Sequence, residues 1–117
     1  MRKESMAFLR AMLAQPSPSG YEGPVRREWC AGVRSYADRV EVDVHGNGIA
    51  GLNLEGRPRL MLAGHMDELG FQVAHIADTG YLYFNTIGGF DASTIAGRKV
   101  VIHTADGPVI GGTGRKA

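Results

Sequence analysis

The sequence predicts an α/β fold: two helices and a central strand, running into antiparallel β hairpins. Three observations carry that expectation. Apolar residues recur at helical spacing up to Tyr36, Leu60-Met-Leu-Ala63 is apolar at consecutive positions, and short stretches after Gly70 alternate between turns rich in Gly and Asp. With 117 residues, 44% of them apolar and 21% charged, the chain is long enough for one packed domain and too apolar for disorder.

Residues 4 to 14 read as a helix, with Met6, Leu9 and Leu13 on one stripe and Phe8 and Met12 beside it. Pro16 and Pro18 end it. Ser19 precedes Glu22 at capping-box spacing, so a second helix is expected from about Tyr21 to Tyr36, burying Val25, Trp29, Val33 and Tyr36. Gly23 and Pro24 fall in its first turn, where proline is tolerated.

At Val40 the period changes to two. Val40, Val42 and Val44 alternate with Glu41 and Asp43, predicting a strand with one buried face, a turn at His45–Gly48 and a partner strand from Ile49 to Leu54. Leu60–Ala63 reads as a strand buried on both faces. Beyond Gly70, hairpins are expected from Phe71–Ala77 with Tyr81–Ile87, and from Arg98–Thr104 with Pro108–Ile110. The tail Gly111–Ala117 has no apolar residue to dock and is expected to fray. The division expected is 1–69 for the α/β core and 70–117 for the β part.

The charge balance, 13 Lys+Arg against 12 Asp+Glu, offers no basic stripe for nucleic acid. A single cysteine, Cys30, excludes an internal disulfide or a multi-cysteine zinc site and reads as a helix-packing residue. The longest apolar runs are far below the roughly 20 residues of a membrane span. Glu4 and Arg10 interrupt what would be a signal-peptide apolar region, so no membrane partner and a cytoplasmic location are expected.

The chemistry is expected around Leu60-Met-Leu-Ala-Gly-His-Met-Asp-Glu68. His65 would stand at the carboxyl end of the central strand, where open α/β sheets gather ligands. In extended backbone the side chains of i and i+2 point to one side, which lets Asp67 approach His65. A carboxylate on one imidazole nitrogen fixes the tautomer and leaves the other nitrogen free for a metal. Gly64 would keep that approach open. His45 is read as a turn residue, His75 and His103 as strand residues away from His65, and Asp91 as a turn former.

Six blocks in order then bear a resemblance: Ser17-Pro-Ser-Gly-Tyr-Glu22; Val40-Glu-Val-Asp43 with Gly46-Asn47; Ala63-Gly-His-Met-Asp-Glu-Leu-Gly-Phe71; Asp78-x-Gly80; Ile87-Gly-Gly-Phe-Asp91; and Gly97-Arg-Lys-Val-Val-Ile-His103. Together they resemble the N-terminal part of the di-metal glutamyl/deblocking aminopeptidases, a family of tetrahedral assemblies of which some members are labelled endoglucanases. The resemblance implies an aminopeptidase-like core interrupted by a small PDZ-like β domain, whose entrance would be the hairpins after Gly70. It makes His65 a metal ligand and Asp67 the catalytic-site carboxylate that orients it, with Glu68, next in the motif, a candidate site-lining residue; Asp91, read from its bend as a turn former, is the other candidate for lining the site.

The complete enzyme of that family holds two divalent ions, zinc or cobalt, and acts on peptides with a free N-terminus. Its remaining ligands and its general base would lie beyond Ala117, so this chain is expected to bind at most one ion weakly and to be inactive alone. Its expected protein partners are further copies of itself or a complementary C-terminal fragment. The competing expectation is a non-catalytic β-rich module that works through association.

Overall fold

The structure is a computed structural model that describes residues 2–114. The chain divides into two compact units, residues 1–87 and 88–117.

In the first unit, α1 (Lys3–Leu13) and α2 (Gly23–Val33) form where the periodicity places them. They meet where Phe8 lies against the bare Cα of Gly32. Helix α2 carries the buried Val25 and lays Trp29 and Cys30 beside Gly48 of the following hairpin. Two expectations for α2 fail. Its last turn tightens to a 3-10 turn at Arg34–Tyr36, and three residues per turn rotate Tyr36 off the apolar stripe, leaving it 76% exposed. The expected capping box is also absent: no side chain caps α2, and Glu22 accepts from Gly20 N at 2.7 Å instead of reaching Ser19.

Strands β1 (Arg39–Val42) and β2 (Gly48–Gly51) pair antiparallel, Val40 opposite Ala50. The strand stops two residues before Val44, which is almost fully exposed, because the Asp43 carboxylate gathers the turn onto itself. It accepts from His45 N (2.9 Å), Asn47 N (2.8 Å) and Asn47 Nδ2 (2.8 Å). That carboxylate is held below its ordinary 3.8, chiefly by the Asn47 side chain.

The central strand expected at Leu60–Ala63 does not form. The segment makes no strand pairing, and Leu60, Met61 and Leu62 are 83%, 86% and 89% exposed. A doubly buried strand needs neighbours on both edges and layers on both faces. Among the described residues no segment pairs with it.

Strands β3 (Gly70–Ile76) and β4 (Leu82–Ile87) form the expected hairpin, with a bulge between Val73 and His75. The Phe71 and Phe84 rings pack at 4.4 Å.

In the second unit, β5 (Lys99–Thr104) pairs with β6 (Gly107–Gly112). Here the tail departs from expectation. Gly111 and Gly112 pair with Val100 and Lys99, and Thr113 is 8% exposed. Its Oγ1 accepts from Arg98 N at 3.0 Å and donates to Ile95 O, so a polar residue docks through hydrogen bonds where no apolar one was available. Residues 115–117 of the tail lie outside the described residues.

Candidate functional site

The site is built on the extended stretch leading into β3. His65 and Asp67 lie two residues apart and turn to the same side, with His65 Nδ1 and Asp67 Oδ1 2.8 Å apart. The imidazole is 86% exposed, so Nε2 points at open solvent, while the Asp67 side chain is half-buried. With Asp67 ionised, the shared hydrogen belongs to Nδ1, and in the neutral form of the ring Nε2 then carries the lone pair.

A second loop, Ser17–Gly20, holds this stretch in place. Glu68 N donates to Ser17 O at 2.8 Å, and Ser17 N donates to Glu68 Oε1 at 3.1 Å. Pro18 and Glu68 form a parallel bridge. One step further along, Ser19 Oγ donates to Asp67 Oδ2 at 2.5 Å. Both carboxylate oxygens of Asp67 are therefore engaged, one by each residue. The Ser19 hydroxyl, and after it the His65 ring, hold Asp67 below the usual carboxylate range; partial desolvation opposes them.

Glu68 thus joins the site as a backbone latch: its carboxylate is committed to the Ser17 amide. Asp91 lies in the second unit and caps a 3-10 turn at Ala92–Thr94, accepting from Ser93 N (2.9 Å) and Ser93 Oγ (2.7 Å). This is the turn-forming role read from its bend, and the two Ser93 bonds lower its pKa. His45 sits in the Asp43 turn, and His75 lies 5.9 Å from the Tyr83 ring.

Reading the sequence missed Ser17, Ser19 and Gly70. A Cβ on Gly70 would stand 2.4 Å from Pro18 Cβ, so the bare glycine lets β3 start directly against the loop. No local pattern flags these contacts. The one available signal was the co-occurrence of the Ser-Pro-Ser-Gly and His-Met-Asp-Glu blocks.

For metal chemistry the donor set is one imidazole nitrogen, on a ring oriented through its other nitrogen by a carboxylate, an arrangement common among metal-bound histidines. Among the described residues no three His, Cys, Asp or Glu side chains cluster as a metal site.

Residues 46–117, more than half of the chain and including His65, Asp67 and Glu68, match the M42 glutamyl aminopeptidase family. The chain belongs to that family. It is 34% identical to a lysyl aminopeptidase of Pyrococcus furiosus over 92% of its own length and 31% of the relative's. With a glutamyl aminopeptidase of Lactococcus lactis it shares 31% identity over 89% of this chain and 31% of that one. Among solved structures, the TET aminopeptidase of a marine-sediment Thaumarchaeota archaeon superposes with a TM-score of 0.87 at 39% identity, covering 97% of this chain and 32% of that one. A Thermotoga maritima protein described as an endoglucanase gives 0.80 at 32% identity, covering 92% of this chain and 34% of that one. The chain therefore spans about a third of the length of these M42 relatives, and its helices and antiparallel strand pairs match their corresponding part. No helix among the described residues is long and apolar enough to cross a membrane.

Proposed function

We propose that this chain supplies the N-terminal part of a metal-dependent aminopeptidase, contributing His65 as one ligand to a two-metal centre, zinc or cobalt, that removes N-terminal residues from peptides in the cytoplasm. In this reading residues 1–69 belong to the peptidase core and 70–117 enter a PDZ-like inserted domain. The observation that carries it is the His65–Asp67 pair, with Nδ1 tied at 2.8 Å and Nε2 free, in a chain of the M42 family.

Bound ions would polarise the scissile carbonyl and lower the pKa of a water. The chain's own contribution is orientation: Asp67 sets the tautomer and ring plane of His65, and the Ser17–Glu68 latch fixes the stretch that carries both. The further ligands and the general base would come from the part of an M42 enzyme not represented in these 117 residues. The test is zinc or cobalt titration of the 117-residue chain with an aminoacyl chromogenic substrate. At most one weakly held ion, lost in His65→Ala, and negligible turnover are expected. Two tightly held ions or brisk turnover would overturn the reading of an incomplete site.

A second reading, association, is favoured by an exposed apolar run: Leu60, Met61 and Leu62 are consecutive and each more than four-fifths exposed. Association with further copies, or with a polypeptide carrying the rest of the M42 fold, would cover Leu60–Leu62. Sedimentation above 12.6 kDa, reduced when Leu60 and Leu62 are replaced by Glu, is expected; a monodisperse monomer would sink this reading.

A further inference from the structure

The geometry points to Ser19 as a positioning residue: its hydroxyl, delivered from a loop 48 residues away, locks the Asp67 carboxylate in the rotamer that holds the Nδ1–H tautomer of His65. The consequence for metal binding rests on the function proposed above; the hydrogen-bonded chain does not.

Three observations converge. The terminal torsion of an aspartate is broad and two-fold, so one partner on one oxygen leaves the carboxylate free to swing. Here both oxygens are taken, Oδ1 by the ring and Oδ2 by Ser19. Next, the stretch bearing His65 and Asp67 lies outside the paired strands, so its own backbone supplies little restraint. Restraint comes instead from the Ser17–Gly20 loop, registered against Glu68 by the paired Ser17–Glu68 hydrogen bonds and tightened by Tyr21 N donating to Pro18 O at 2.7 Å. With Pro18 paired to Glu68 in parallel, Ser19 stands one residue past the bridge and Asp67 one before it, and the Ser19 hydroxyl reaches across to the carboxylate. Finally, α2 begins at Gly23 with Glu22 at the N-cap, so Ser19 lies outside the helix start and has no capping duty there. Its side-chain hydrogen bond is to the Asp67 carboxylate.

The experiment reads the His65 tautomer directly, by long-range nitrogen–proton spectra of the 117-residue chain in chelator, about two units above the ordinary imidazole pKa. Wild type is expected to be mostly Nδ1–H. Asp67→Ala should return the ring to the Nε2–H majority of free imidazole. Ser19→Ala should move it at least about halfway there, and Ser19→Thr, which keeps the hydroxyl, should restore wild-type values. If Ser19→Ala matches wild type while Asp67→Ala shifts, Ser19 has no positioning role and the His65–Asp67 pair survives. If Asp67→Ala also leaves the tautomer unchanged, the pair itself fails, and with it the support for His65 as an oriented ligand. Failure of Ser19→Thr to rescue would reduce Ser19 to a steric element and overturn the proposal as well.

Discussion

Gly70→Ala tests whether the candidate site depends on close packing between the Ser17–Gly20 loop and the start of β3. The added methyl would lie 2.4 Å from Pro18 Cβ, 3.3 Å from its Cγ and 3.5 Å from its Cα. Pro18 cannot swing a side chain away, because its ring is fused to the backbone, so the loop itself must retreat by roughly 1 Å to reach ordinary contact. The bonds at risk are Glu68 N to Ser17 O (2.8 Å), Ser17 N to Glu68 Oε1 (3.1 Å) and Ser19 Oγ to Asp67 Oδ2 (2.5 Å). Each would stretch to or past the limit of a hydrogen bond. The two Ser17–Glu68 bonds, at about 0.5–1.5 kcal/mol each, give a loss of about 1–3 kcal/mol, with the exposed Ser19–Asp67 bond left out, which agrees with the usual cost of overpacking. Reduced freedom of the unfolded chain returns about 0.4–1 kcal/mol, leaving a net loss of about 1–2 kcal/mol. Urea unfolding, followed with amide exchange at Glu68, measures it. The control is Gly64→Ala, where a Cβ meets nothing within 4 Å. Stability within about 0.5 kcal/mol of wild type, with Glu68 N still protected, would refute the packing argument.

Three further outcomes follow from other parts of the chain. Asp43 should titrate below 3.8, since Asn47 and His45 hydrogen-bond its ionised form. Because the folded value is depressed, the turn's stabilisation is complete above the unfolded value and is lost as pH falls through the folded one. Carboxyl carbon shifts should show this, and Asn47→Ala should move the titration back toward 3.8. Thr113→Val strips the Arg98 amide of its side-chain acceptor and should cost the second unit about 1–3 kcal/mol, seen as faster exchange at Arg98, with Thr113→Ser sparing it. Gly32→Ala would set a methyl 2.2 Å from the Phe8 ring. Its helix-propensity gain of up to about 1 kcal/mol should be outweighed by the loss of α1–α2 packing, lowering the midpoint of thermal unfolding.

What could be read from the sequence was what local periodicity encodes. Both helices, the β1–β2, β3–β4 and β5–β6 hairpins and the His65–Asp67 pairing follow from repeats of 3.6 or two residues and from turn residues, and each lies within a residue or a few of its expected place. The failures share a different cause. Ser19–Glu22 has the spacing of a capping box, but α2 begins only at Gly23 with Glu22 itself at the N-cap, so Ser19 lies three residues too early to cap it, and its hydroxyl donates instead to Asp67, 48 residues away. Thr113 looked undockable because apolar content was the criterion, whereas it is held by hydrogen bonds. Tyr36 fell off its stripe because helix ends tighten in ways periodicity does not record.

Leu60–Ala63 marks where local inference gives way to assembly. Its composition is that of a strand covered on both faces, yet Leu60, Met61 and Leu62 stand more than four-fifths exposed. Composition reports the environment a segment was selected for, and exposure reports the one these residues supply. The gap between them is thermodynamic: fully burying three such side chains is worth about 1.5–3 kcal/mol each. The same stretch runs on into His65 and Asp67, so whatever covers the apolar run would also restrain the segment that carries the candidate site. On this argument association and metal affinity rise together. Replacing Leu60 and Leu62 by Glu should weaken both in any assembly that completes the site, even though neither residue touches His65.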